Sequence, residues 1–168
     1  LTLYLFLFGA AHGTEYEFKK GEHYVEVNGE LSKQPQVTEY FSFYCPHCYR
    51  AESFMAEVKT LLADERKFRK IHVDGMPGQN IDVERMLTRA LATATLLNVE
   101  NKTIPVIFDY IHETRATFSN EKDIRNLFIL HGVDGATYDK TFNSFQAKAM
   151  AKKMAKDTDA LRAQGITT

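Results

Sequence analysis

Cysteine occurs only twice in this chain, at Cys45 and Cys48, within the run Cys45-Pro46-His47-Cys48. Two thiols three positions apart, with no third to pair with either, suggest chemistry between themselves. A disulfide across so short a loop constrains the unfolded chain very little, so cross-linking for stability is a weak use of the pair. Thiol–disulfide exchange is a stronger one, in which a thiolate attacks a disulfide sulfur and a second thiol resolves the mixed disulfide. Zinc is the competing reading, but a closed structural site takes four ligands. No second cysteine pair exists, and His12, His23, His72, His112 and His131 show no ligand spacing. No metal and no cofactor other than a redox-active Cys45–Cys48 disulfide is therefore expected.

The flanking residues indicate how the pair is held. Gln36 to Tyr44 (QVTEYFSFY) is rich in β-branched and aromatic residues and predicts a buried strand. After the motif, Ala51, Phe54, Met55, Val58, Leu61 and Leu62 recur at helical spacing. The cysteines then lie at a strand-to-helix turn. Pro46 fits the first turn of that helix, where its missing N–H costs nothing. Cys45 would face the unpaired N–H groups and the positive end of the helix dipole, which favours a thiolate. His47, as a neighbouring imidazole, would lower the thiol pKa further. Whatever stabilises the reduced thiolate destabilises the disulfide, so the pair should be an oxidant. Cys45 is the expected attacked and attacking sulfur, and Cys48, deeper in the helix, the resolving one.

The run from Val37 to Tyr49 resembles the active-site segment of the DsbA-type periplasmic thiol:disulfide oxidases, within the thioredoxin superfamily. The likeness continues through His72-Val73-Asp74-Gly75-Met76-Pro77-Gly78 and Phe142-Asn143-Ser144-Phe145, and covers roughly residues 15 to 167. It implies an α/β, thioredoxin-like fold with a helical insertion. It also implies donation of the active-site disulfide to reduced, unfolded exported polypeptides, with reoxidation by a membrane-bound, quinone-linked oxidase of the DsbB type. A disulfide isomerase, a reductant, or an inactive polypeptide-binding fragment are the alternatives.

Glu39 shares a strand face with Val37, Phe41 and Phe43, so either an acid is buried among apolar residues or that face is locally open. By the resemblance, the corresponding acid lies beneath the active site, and Glu52 and Lys70 align with charged residues near it. The three form a candidate proton-handling group for Cys48; ordinary surface charge is the alternative for Glu52 and Lys70.

Apolar residues make up 44% of the chain and charged residues 26%, and the net charge of −1 supplies no electrostatic reason for a nucleic-acid partner. Leu1 to Phe8 is apolar and precedes Ala11-His12-Gly13, a small-x-small pattern that suggests residues 1–13 are a signal-peptide remnant cleaved before Thr14, and hence an exported, periplasmic protein. The run is too short to span a bilayer. Residues 14–78 read as the thioredoxin-like part, with further strands at His23 to Val27 and Lys67 to Val73. Residues 79–163 read as the helical insertion: a helix at Asp82 to Leu97 with Val83, Leu87, Ala90, Leu91 and Ala94 on one face; one capped by Thr103 with Pro105 near its start; one at Asn120 to His131; a short one capped by Asp134; and a longer one bearing Met150, Met154 and Leu161. Residues 164–168 would begin a C-terminal thioredoxin-like part. By the resemblance, the last strands and helix of the fold, and its cis-proline loop, are missing from this chain. That would leave a strand edge unpaired and an apolar face uncovered.

Overall fold

The structure is a computed structural model that describes residues 17–29 and 32–166. The expected leader at residues 1–13, with its cleavage before Thr14, lies outside the described residues, as do the last two positions of the 164–168 segment.

Two parallel strands, β1 (Val37–Phe41) and β2 (Phe68–His72), carry the active-site unit. Their register sets Val37 opposite Phe68, Glu39 opposite Lys70, and Phe41 opposite His72. Parallel neighbours need a long crossover, and α1 (Pro46–Leu61) with a 3-10 turn (Glu65–Lys67) supplies it. The chain then becomes helical: α2 (Ile81–Leu97), α3 (Glu100–His112), α4 (Glu121–Leu130), α5 (Gly135–Phe142) and α6 (Phe145–Arg162). Four of these helices start at a polar cap. Asn80, Asn120, Asp134 and Ser144 each accept from backbone N–H groups of the first turn of α2, α4, α5 and α6, an arrangement worth about 1 kcal/mol apiece.

One apolar core joins strands and helices. Phe41, Phe43 and Ile71 from the sheet region pack into a cluster with Leu87 and Leu91 of α2, Ile107 and Phe108 of α3, Phe128 of α4, and Tyr138 and Phe142 of α5. The stripe expected on α2 is buried at all five positions. Phe41 meets Phe108 at 5.7 Å and Phe43 meets it at 5.1 Å between ring centroids, so α3 is seated against the strand that leads into the cysteines. The chain thus has the α/β, thioredoxin-like architecture with a helical insertion.

Three local expectations fail. Residues 23–27 form no strand: their only ladder contact is an isolated bridge between Lys20 and Tyr24, and Val25 stays 62% exposed. Alternation alone cannot hold a strand without a partner edge. Thr103 and Pro105 lie inside α3, which starts a turn earlier at Glu100; the Thr103 hydroxyl donates back to the Val99 carbonyl at 2.9 Å instead of capping. The apolar stripe of α1 is not core either. Phe54 is 62% and Leu61 83% exposed, and the helix flanks a groove of about 1130 Å³ lined by Met55, Phe68, Ile104, Met150 and Met154.

The loop after β2 is tied to α2 by a buried carboxylate. Glu84 accepts from the backbone N–H of Gly75 at 2.8 Å and of Met76 at 3.1 Å. Replacing Glu84 with Ala leaves both donors without that partner, and hydrogen bonds to charged acceptors contribute the most of any. The expected loss is about 2 kcal/mol, read from the urea midpoint at constant slope. An unchanged midpoint would show that water replaces the carboxylate without cost.

Candidate active site

Cys45 is the N-cap of α1, with extended backbone angles (φ −85°, ψ 113°), and Pro46 takes the first helical position. The orphan donors of a helix start normally meet a side-chain oxygen. Here the acceptor is sulfur: the Cys48 N–H points at Cys45 Sγ, 3.4 Å away. Upstream, Cys45 N–H donates to the Ser42 carbonyl at 3.0 Å, which closes the turn between strand and helix. Both cysteines are free thiols, half-buried, in this structure.

The two sulfurs are placed in opposite environments. Burial pushes the Cys45 thiol up, but hydrogen bonds from the Cys48 side chain and from the backbone N–H groups of Cys48 and His47, with the charge of Arg50, outweigh it and leave the thiol below its ordinary range. For Cys48, burial dominates. Its hydrogen bond to Cys45 and the negative charges of Cys45 and Glu39 add to burial, and the thiol is pushed up to about 11. The pair therefore holds one thiolate at Cys45 and one proton at Cys48.

His47 is exposed, and its Nδ1 lies 2.9 Å from a guanidinium nitrogen of Arg50. The imidazole ring does not figure among the groups that lower the Cys45 thiol; the His47 backbone N–H and the Arg50 charge do. Arg50 escaped the sequence reading, although it sits three residues after His47, a spacing that makes neighbours on a helix.

Glu39, Glu52 and Lys70 come together. Lys70 Nζ is 2.6 Å from Glu39 Oε2 and 2.6 Å from Glu52 Oε1, with side chains 13%, 10% and 22% exposed for Lys70, Glu39 and Glu52. The Lys70–Glu52 contact is an aligned hydrogen bond, whereas Glu39 Oε2 has only the charge contact. The ammonium also stands 4.7 Å over the Phe41 ring. Burial holds the Glu52 carboxyl above the usual carboxylate range despite Lys70, and the charge of Glu39 adds to that shift.

A second cluster went unread in the sequence. His112 of α3 donates from Nε2 to the Phe43 carbonyl at 2.8 Å and stacks on Tyr49 at 5.0 Å with 9° between the rings. The Tyr49 hydroxyl reaches Glu113 at 2.8 Å and Asp109 at 3.1 Å. These contacts fasten the helical insertion to both sides of the cysteine turn. His72 is different: wholly buried, it is held neutral, its pKa pushed down to about 3 by burial. Its Nδ1 lies 2.8 Å from Thr88 Oγ1, which itself donates to the Glu84 carbonyl, so Nδ1 carries the hydrogen. Among the described residues, no group of three or more His, Cys, Asp or Glu is placed to hold a metal ion.

Residues 36–167 match the DSBA-like thioredoxin domain family. The chain is 37% identical over 155 residues to the thiol:disulfide interchange protein DsbA of Pectobacterium carotovorum, covering 89% of this chain and 72% of that protein. It is 35% identical over 156 residues to the DsbA of Yersinia pestis, covering 91% and 73%. Among solved structures, the disulfide oxidoreductase DsbA from Proteus mirabilis superposes with a TM-score of 0.75 at 30% identity, covering 90% of this chain and 78% of that one. A cysteine-to-serine variant of Proteus DsbA, solved with the non-covalently bound peptide PWATCDS, gives a TM-score of 0.76 at 29% identity over 90% of this chain and 80% of that one.

The acid–base trio yields a stability test. Because the Glu52 pKa is raised in the fold, its ionisation opposes folding: the stability it contributes is present below the unfolded pKa and lost as pH rises through the folded value. Lys70 offsets that loss. Lys70→Met should therefore cost roughly 2–3 kcal/mol at pH 7 and distinctly less at pH 4.5, where both carboxyls take up protons, as measured by urea unfolding. An equal cost at both pH values would show that Lys70 contributes packing and not charge.

Proposed function

The chain belongs to the DSBA-like thioredoxin domain family and is a thiol:disulfide oxidoreductase, and on that premise we propose that it works as an oxidant, donating the Cys45–Cys48 disulfide to reduced, unfolded polypeptides after their export to the periplasm. The observation that carries this reading is the asymmetry of the two sulfurs, with a hydrogen-bonded thiolate at Cys45 and a proton retained at Cys48.

The reaction balances in two exchanges. A substrate thiolate attacks Cys45 Sγ of the oxidised pair; the Cys45–Cys48 bond breaks, a substrate–Cys45 disulfide forms, and Cys48 leaves with the electron pair. A sulfur whose pKa is pushed up to about 11 takes a proton at once. Glu52, held above the usual carboxylate range, and the Glu39–Lys70 pair beside it are the groups assigned to supply that proton. A second substrate thiolate then attacks the substrate sulfur of the mixed disulfide and expels Cys45 as a thiolate. Low-pKa thiols leave fastest, so the same contacts that stabilise the Cys45 anion speed this release. The substrate loses two electrons and two protons, and the pair gains them. A membrane-bound, quinone-linked oxidase of the DsbB type then removes the electrons and restores the disulfide.

Cys48→Ala should accumulate mixed disulfides between Cys45 and a reduced, unfolded polypeptide, because no resolving thiol remains, whereas Cys45→Ala should accumulate few. Equal trapping by the two variants, resolved on non-reducing gels, would reverse the assignment of nucleophile and resolver. Glu39→Gln should slow exchange chiefly where Cys48 must change protonation, visible as an altered pH–rate profile at unchanged peptide affinity. A superimposable profile would remove Glu39 from the proton path.

A further inference from the structure

The positive charge at a catalytic thiolate is usually sought in the imidazole between the cysteines, but here the contacts lead one residue further out. Arg50 donates to His47 Nδ1 at 2.9 Å. A guanidinium has no acceptor, so Nδ1 must be the acceptor and carries no proton while this bond is made. His47 then holds its hydrogen on Nε2 and is uncharged. The cation in this corner of the molecule is Arg50.

Its placement runs against ordinary helix electrostatics. Arg50 is the fifth residue of α1, and the first turn of that helix contains no acidic residue. Helix starts favour carboxylates and disfavour cations, so a guanidinium here adds to a positive dipole end without local compensation. The groups acting on Cys45 are its partner Cys48, the backbone N–H of His47 and the charge of Arg50. Glu39, the nearby acid, acts on Cys48. A cation that contributes nothing to helix stability but stands beside the one group that becomes an anion has a straightforward use.

We propose that Arg50 is a positioning residue for disulfide exchange: anchored on neutral His47, its permanent charge stabilises the departing Cys45 thiolate and makes the disulfide more oxidising. This rests on the oxidant reading above. Guanidinium does not deprotonate in proteins, so the effect holds across the whole working pH range, unlike that of an imidazolium, which fades as pH rises through its pKa. Because Arg50 is exposed, salt should weaken it.

The test is the thiolate absorbance of the reduced protein against pH, together with the equilibrium constant for exchange with glutathione. Arg50→Gln keeps an N–H donor for His47 but removes the charge. It should raise the Cys45 midpoint by about half a pH unit, a threefold change in thiolate equilibrium, given one unit charge close by at near-aqueous dielectric. The glutathione equilibrium should move about threefold toward the disulfide, and 1 M salt should erase most of the difference. Arg50→Lys should restore most of both quantities. In a His47→Leu background, the effect of Arg50→Gln should fall by at least half, since the anchor is gone. The proposal is overturned if Arg50→Gln matches the wild type, if Arg50→Lys is as impaired as Arg50→Gln, or if the effects at positions 47 and 50 simply add. A wild-type midpoint near ~8.5, that of a free cysteine, would instead overturn the oxidant reading itself.

Discussion

A sulfur atom caps α1 where an oxygen would ordinarily stand, and the chemistry of the molecule depends on that substitution. The Cys48 N–H aimed at Cys45 Sγ is an orphan donor of the helix start, which the fold must satisfy in any case. Using the nucleophile as the cap couples the integrity of the helix to the charge of the sulfur. An anion accepts the bond better than a thiol and far better than a disulfide sulfur, so reduction of the pair tightens the helix start. The fold then favours the reduced state, and a disulfide in the same place is held under a thermodynamic bias to be given away.

Holding that cap in place requires rigidity on both sides. Upstream, Phe41 and Phe43 are wholly buried and seat the end of β1 against Phe108. Downstream, Tyr49 stacks on His112 while His112 grips the Phe43 carbonyl. The insertion is therefore more than a lid attached to the sheet. One residue of α3 bridges the strand end and the helix start, so the turn carrying Cys45 is braced by side chains from a distant part of the chain. Beneath it, Glu39, Lys70 and Glu52 place one cation between two acids. Registering Glu39 opposite Lys70 across the parallel strands is what makes that contact possible.

Much of this was legible in the sequence because it follows from local rules. The strand before the cysteines, the helix after them, the caps at Asn120 and Asp134, and the α2 stripe are each written in a few consecutive residues. What escaped reading was decided by tertiary contacts. Residues 23–27 alternate like a strand, but a ladder needs a neighbour, and only an isolated bridge forms there. Pro105 suggests a helix start, yet packing of Ile104, Ile107 and Phe108 into the core draws the preceding turn into α3. The apolar positions of α1 have helical spacing, but spacing says only which side chains share a face and nothing of what covers it. His112 carries no local mark at all; its role arises from a carbonyl 69 residues away in sequence. Arg50 could have been found from its position three residues after His47.

The central claim is that the Cys45 environment makes the disulfide a donor, and the reduction potential of the pair tests it most directly. Equilibrate the protein with defined ratios of reduced and oxidised glutathione and quantify its two redox forms after acid quenching. The account predicts a couple more oxidising than glutathione, so that a mixture of comparable amounts of the two glutathione forms leaves the pair almost entirely reduced. A pair that stays oxidised under those conditions, as a reducing thioredoxin-type couple near roughly −270 mV would, contradicts the account.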